Sequence, residues 1–416
     1  MKYYEYVWRR VIIIFALLVN LTACLYADDF VWENRSALPG ELAEGSAVAI
    51  DSKIYLIGGG SALYGPNNSV DVYSPGTDTW QKKAVTLPDK ISPAAAVYND
   101  KIYIAGGTDG YVDSEKLLVY DPSNDSYVVK TATLSVKRFG ANAHFINGKL
   151  YIIGGYNSAQ GALNLVEEYD PVLNSWSIKS AMSAKRWGFA SAVYNNKIYV
   201  FGGYNGAVNS FNSASIVPGV EVYNPAANSW SALSGMPYPK AFHSAAALTN
   251  KIYVIGGRDA EGDHGSVMEY DPSADAWTSR QGINTARRDF ALSVVNNNIY
   301  IFGGISGEDN YLSNTERSSL ISSGGENFNS AYCYPTALYL YKGDKLKFAN
   351  FPSQTKITIL SPAGHIIKTI EADAEGNIQG WDCKAEDSEE LGTGTYIVHA
   401  KDTKNNTKIM KVLVVR

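Results

Sequence analysis

Five cations recur at one place in a repeated pattern. Lys90, Arg138, Arg186, Lys240 and Arg287 each stand sixteen residues ahead of a Gly-Gly doublet, and the remaining equivalent position is Leu42. Lys137, Lys185 and Arg288 flank three of them. Like charges gathered at equivalent sites repel unless an anion joins them, so their chemistry is recognition of an anionic group rather than bond-making. The segments after the doublets carry Tyr64, Tyr111, Tyr156, Tyr204, Phe211 and Tyr311. Flat rings beside guanidinium groups suit sugar faces, peptide side chains or carboxylates. Lys90, Arg138, Arg186, Lys240, Arg287, Tyr156 and Tyr204 are therefore the candidate ligand-binding residues. An acid–base reading draws on Glu44, Asp289 and His243, which lie close to the cationic positions in the repeat. The five histidines are scattered, and Asp259, Glu261, Asp263 and His264 crowd one loop that reads as a solvated acidic turn. The chain is expected to need no metal and no cofactor.

The elements that position these residues repeat. Doublets fall at Gly58-Gly59, Gly106-Gly107, Gly154-Gly155, Gly202-Gly203, Gly256-Gly257 and Gly303-Gly304, spaced 48, 48, 48, 54 and 47 residues apart. Each follows an apolar strand such as Ile54-Tyr55-Leu56-Ile57, as a strand covered on both faces requires. Tyr73, Tyr120, Tyr169, Tyr223 and Tyr270 each precede an aromatic residue by seven positions, across a Pro-containing turn. Those aromatics are Trp80, Tyr127, Trp176, Trp230 and Trp277, and Trp32 stands alone before the first doublet. The last doublet has no aromatic after it. A ring explains this offset, because the strand carrying Trp32 can complete the last sheet.

Gly-Gly, Tyr and Trp at this period resemble the kelch repeat over residues 29–324. The resemblance implies a six-bladed β-propeller closed by an amino-terminal strand, with the cationic position ringing the mouth of a central channel. The copper radical oxidases of kelch type need a Tyr joined to a Cys, and no Cys occurs between residues 25 and 332. The six-bladed sialic acid mutarotases are the enzymatic alternative, although this chain lacks long insertions that would close a pocket. The reading taken forward is a non-enzymatic binding protein that holds an anionic glycan or protein partner.

Residues 1–27 read as a signal peptide: Arg9-Arg10 precedes an apolar run from Val11 to Val19. Leu21-Thr22-Ala23-Cys24 resembles a lipobox, which would lipidate Cys24, whereas cleavage after Ala27 would release a soluble form. Both imply a secreted, periplasmic or cell-surface protein, with any membrane contact made through the lipid alone. Removing the segment takes a net +2 from −5 and leaves −7, which argues against nucleic acid as a partner. Residues 325–416 lose the period and alternate as short strands, which fits a small β-sandwich. Tyr334-Pro335, Trp381-Asp382, the Gly392–Tyr396 run and the closing Lys411–Arg416 strand resemble the Ig-like hook-capping and type IX sorting domains of secreted bacterial proteins. The Gly expected after Trp-Asp is Cys383, which an oxidising compartment permits to pair with Cys333. The expected organisation is a leader (1–27), a propeller (28–324) and an Ig-like sandwich (325–416).

Overall fold

The structure, a computed structural model, describes residues 29–61, 65–88, 91–208 and 211–321, and in the remainder 332–334, 337–339, 347–349, 354–361, 365–372, 393–401 and 407–415. It divides into two compact units, one of Phe30–Ser319 and one containing Leu320–Arg416.

The first unit contains six four-stranded antiparallel sheets. Blade one is Ser46–Ile50, Lys53–Ile57, Val70–Ser74 and Thr79–Lys82, and the next four repeat that order. The first two strands of most blades are joined by Asn- or Asp-rich turns. Asn99-Asp100, Asn195-Asn196 and Asn296-Asn297 each place two consecutive residues at φ between 48° and 59°. Such mirror-image turns match the twist of a hairpin and favour Asn and Asp. The second strand is almost wholly buried in every blade, which is why it is apolar on both faces.

Blade six is completed from the other end of the propeller. Its sheet runs Asp29–Arg35, Thr315–Ile321, Asn298–Phe302, Ala291–Val295. Trp32 behaves there as the fourth-strand tryptophan of the other blades. Its Nε1 donates to Gln281 O of blade five at 3.3 Å, as Trp80 donates to Ser36 O, Trp230 to Ser180 O and Trp277 to Ser234 O. Glu33 and Arg317 pair at 2.8 Å across the same seam.

The repeated tyrosines are wholly buried, and each hydroxyl donates to an Asx side chain five residues on: Asp78, Asp125, Asn174, Asn228 or Asp275. Those Asx residues stand at φ between 47° and 55°, and four of them also accept a backbone N–H from the preceding blade. The tyrosine thus fixes the turn that latches one blade to its neighbour. Burial pushes Tyr73, Tyr169 and Tyr223 up to about 12, so they remain donors throughout the physiological range.

The second unit contains a five-stranded sheet in the order Ala337–Tyr339, Thr407–Val415, Gly394–Lys401, Lys356–Leu360, Ile366–Glu371. The first two strands are parallel and the rest antiparallel. Tyr332–Tyr334 pairs separately with Lys347–Ala349, which sets Cys333 opposite Phe348. Cys24 and Cys383 lie outside the described residues.

Candidate functional site

The cationic position does not ring the channel. Its backbone is caught between blades: the second glycine of each doublet donates to the carbonyl of this residue in the next blade. The bonds are Gly107 N to Arg138 O (2.9 Å), Gly155 N to Arg186 O (3.1 Å), Gly203 N to Lys240 O (3.0 Å) and Gly257 N to Arg287 O (2.9 Å). Gly304 N to Leu42 O (2.8 Å) closes the circle. The approach is close enough that a Cβ on Gly106, at φ +66°, would lie 2.4 Å from Arg138 O. Only glycine tolerates both conditions.

Side chains leaving this wedge enter their own blade. Arg138 donates to Gly154 O and pairs with Glu167, Arg186 does the same with Gly202 O and Glu221, and Arg287 with Gly303 O and Glu316. Each glutamate also accepts a loop N–H, from Ser135, Ser183 and Asn284 respectively. All three arginines are at most 1% exposed. Burial lowers their pKa, and the paired carboxylate pulls it back. Met268 occupies the glutamate's register in blade five, opposite Val254, and the cation there is Lys240. Its Nζ bonds Ser266 Oγ at 2.8 Å, and burial draws it down to about 8. The expectation that Arg138, Arg186, Lys240 and Arg287 hold a ligand is therefore corrected: they are internal braces. Lys90 and Tyr64 lie outside the described residues.

The rim of the channel comes two residues later in each repeat, at Glu44, Ser92, Gly140, Gly188, Phe242 and Asp289. All six adopt φ between 48° and 60°. Five of the six junctions between them carry a backbone hydrogen bond: Glu44 N to Asp289 O, Ser92 N to Glu44 O, Gly140 N to Ser92 O, Phe242 N to Gly188 O and Asp289 N to Phe242 O, at 2.5–2.9 Å. A bulky aromatic at φ 59° is strained, and such strain gathers where function constrains the chain. The first strands beyond the rim line a cavity of about 200 Å³. Its polar groups link neighbouring blades, with His144 Nε2 and Ser191 Oγ at 2.7 Å and Asn142 Nδ2 donating to Phe189 O at 2.9 Å. Burial holds His144 down to about 4 and His243 to about 3, the latter aided by Lys240, so both rings are neutral at pH 7.

The rim has two unlike sectors. Blades one, five and six bring carboxylates together. Ser92 Oγ donates to Glu44 Oε2 at 2.5 Å, and Arg288 pairs with Asp263 at 2.7 Å and approaches Asp289 at 3.8 Å. Burial raises Glu44, and burial followed by the Glu44 charge raises Asp289 well above the usual carboxylate range. Asp259 and His264, expected in a solvated turn, pair with each other at 2.7 Å. Blades three to five bring rings together: Phe139, Tyr156, Trp187, Tyr204, Phe211 and Phe242 pack at centroid distances of 5.0–6.3 Å. Arg258 lies 4.9 Å over Phe211. Of the expected aromatics, Tyr156 is half-buried here. Tyr204 is only 1% exposed, and its hydroxyl accepts the Asn212 N–H, which makes it a support for its loop. Trp187 and Phe242 were not among the expected residues, and the two glycines at rim positions were the available signal for this left-handed ring.

Six four-stranded sheets with a shared Gly-Gly, Tyr and Trp signature define a kelch-type β-propeller, a protein-interaction fold. Residues 54–311, more than half of the chain, match the family described as the Attractin/LZTR1 beta-propeller, and the chain belongs to that family. It is 29% identical over 235 residues to Kelch-like protein 25 of Xenopus tropicalis, covering 54% of this chain and 30% of that protein. It is 26% identical over 170 residues to Kelch repeat and BTB domain-containing protein 12 of Homo sapiens, covering 35% and 27% respectively. The chain thus spans less than a third of the length of these curated relatives. A solved structure titled "Structure of YjhT" shares the fold at a TM-score of 0.59 and 13% identity, covering 69% of this chain and 99% of that one.

Proposed function

We propose that this chain is a binding protein that receives a protein partner on the rim of its propeller. The observation that carries this reading is the rim itself. It takes one residue from every blade, bears a strained and partly exposed Phe242, and sets a bed of aromatic rings beside a group of carboxylates. Tyr and Trp beds of this kind serve as anchors at interfaces, where rings bring large contact area at low entropic cost. The anionic-glycan version of the reading has less support, because Arg138, Arg186 and Arg287 are spent on glutamates inside the blades. The protein is proposed to act outside the cytoplasm, on the strength of its amino-terminal segment, with the carboxyl-terminal unit as an Ig-like spacer or sorting element. Intact mass of the mature protein distinguishes a start at Asp28 from a lipidated Cys24.

The test places a photo-crosslinking phenylalanine analogue at Tyr156 or Tyr311 on the rim side, and at Val172, which is 91% exposed in the third blade's outer hairpin. Capture of a partner from position 156 or 311 and not from 172 is expected. Capture confined to 172 would move the interface to the perimeter. Interconversion of sialic acid anomers seen by proton NMR, and lost in Glu44→Gln, would replace the binding reading with a mutarotase.

A further inference from the structure

We infer that the acidic sector of the rim receives a cationic side chain, an arginine or a lysine, from the protein partner. The inference rests on the reading of the rim as a protein-binding face and names the chemistry of its contact. Three carboxylates, Glu44, Asp263 and Asp289, surround the guanidinium of Arg288. That guanidinium has committed three of its five N–H groups. Its Nη1 donates to Asp263 Oδ2 at 2.7 Å and Gly307 O at 2.8 Å, its Nη2 donates to Glu308 O at 3.2 Å, and its Nε stands 3.8 Å from Asp289. A second cation, Arg258, is laid over the Phe211 ring, and its charge also reaches Asp289 while its buried Nε has no acceptor among the described residues.

Carboxylates outnumber guanidiniums here, three to two, and one carboxylate oxygen stays unpaired. The Asp263 side chain is 4% exposed, and its Oδ1 has no hydrogen-bond partner among the described residues. A buried carboxylate oxygen left without a donor is costly, and proteins rarely retain one without use. Glu44 has its one side-chain donor in the Ser92 hydroxyl, and both Glu44 and Asp289 remain partly open to solvent, the latter at 23%. A guanidinium or ammonium arriving from outside supplies the missing donors and the missing positive charge together. Tyr311, half-buried on the blade-six loop beside Glu44 and Asp289, offers a ring face for the aliphatic stem. A protein side chain is favoured over a free metal ion because the aromatic bed adjoins the carboxylates, and a metal has no use for it. The Phe242 backbone carries both sectors, since its carbonyl accepts the Asp289 N–H.

The experiment titrates the full-length protein with an acetylated, amidated hexapeptide containing two arginines, its lysine counterpart and its citrulline counterpart, followed by calorimetry and by NMR of labelled phenylalanine and tyrosine. Citrulline keeps the shape and removes the charge. The arginine or lysine peptide is expected to bind at least tenfold more tightly than the citrulline peptide. That advantage should fall at least tenfold in Glu44→Gln with Asp289→Asn, while the thermal midpoint of the double variant holds or rises. A structural role alone would lower the midpoint. Equal binding of the citrulline peptide, undiminished binding by the double variant, or calcium binding at this place in preference to all three peptides would each overturn the inference. Crosslinking at the rim that survives the double variant would sink this inference and leave the rim's role standing. Charge-dependent peptide binding without rim crosslinks would do the reverse.

Discussion

Replacing Glu167 with leucine tests the correction made to the cationic ring. Arg138 is 0% exposed and Glu167 1% exposed, so the variant strands a guanidinium in the blade with Gly154 O and Val136 O as its remaining acceptors. Breaking a buried pair by removing one partner costs about 3–5 kcal/mol. The Ser135 N–H loses its acceptor as well. In a unit of this size that corresponds to a fall of roughly 5–8 °C in the thermal midpoint. The double variant Arg138→Met, Glu167→Leu removes both charges, as apolar Leu118 and Met268 already occupy the glutamate's register in blades two and five. It is expected to recover all but about 1–2 kcal/mol, which is the lost bond to Gly154 O and imperfect packing. Urea unfolding of the wild type, both single variants and the double variant gives the coupling energy directly, provided that m is unchanged. A cost below about 1 kcal/mol for Glu167→Leu, with no coupling, would mean that Arg138 reaches water, and the buried-brace assignment would fail.

Glu44→Gln and Asp289→Asn should each raise the thermal midpoint at pH 7. Their carboxyl pKa values are raised on folding, so the folded state binds more protons than the unfolded one above about pH 4, and stability drains away as pH rises. The gain should shrink as the pH falls toward 4, and a gain that grows in acid would contradict the assignment. Gly188→Ala sets a Cβ 2.5 Å from the Phe242 ring at φ +56°, and should cost about 2–4 kcal/mol. Adding Phe242→Ala should relieve the steric part, so the pair of changes should cost less than their sum in a melt. Trp32→Ala, which empties a site 7% exposed and removes the bond to Gln281 O, should cost about 3–5 kcal/mol and admit protease at the blade-six seam before the rest unfolds. Simultaneous digestion throughout would argue against a local seam.

The architecture was legible because each of its parts is local and repeated. The doublets, the tyrosine hairpins and the displaced Trp32 all appear in the first unit's sheets where their spacing put them. The parallel pairing of Ala337–Tyr339 with Thr407–Val415 joins segments far apart in the chain, and no local pattern announces it. The site was misjudged by two residues per repeat. Charge drew attention to Arg138 and its equivalents, yet what decides their fate is a carbonyl captured by the neighbouring blade and a glutamate 29 residues onward, in Arg138 and Glu167 as in Arg287 and Glu316. Glu167, Glu221 and Glu316 were visible in the sequence. Their partnership was not, because a strand pattern does not say which residue of the next loop lies over it. Trp187 and Phe242 stayed hidden because their loop is the entry to a blade rather than the segment after a doublet.

The run of bonds from Asp289 to Glu44, to Ser92 and on to Gly140 works as a hoop around the bore. A hoop tied at five of its six joints resists widening at each of them, so moving one blade to admit a bulky guest costs at least one of these bonds. Whatever docks there must meet an aperture of fixed girth and adapt by its own side chains. Loss of any single repeat would slacken the whole circumference.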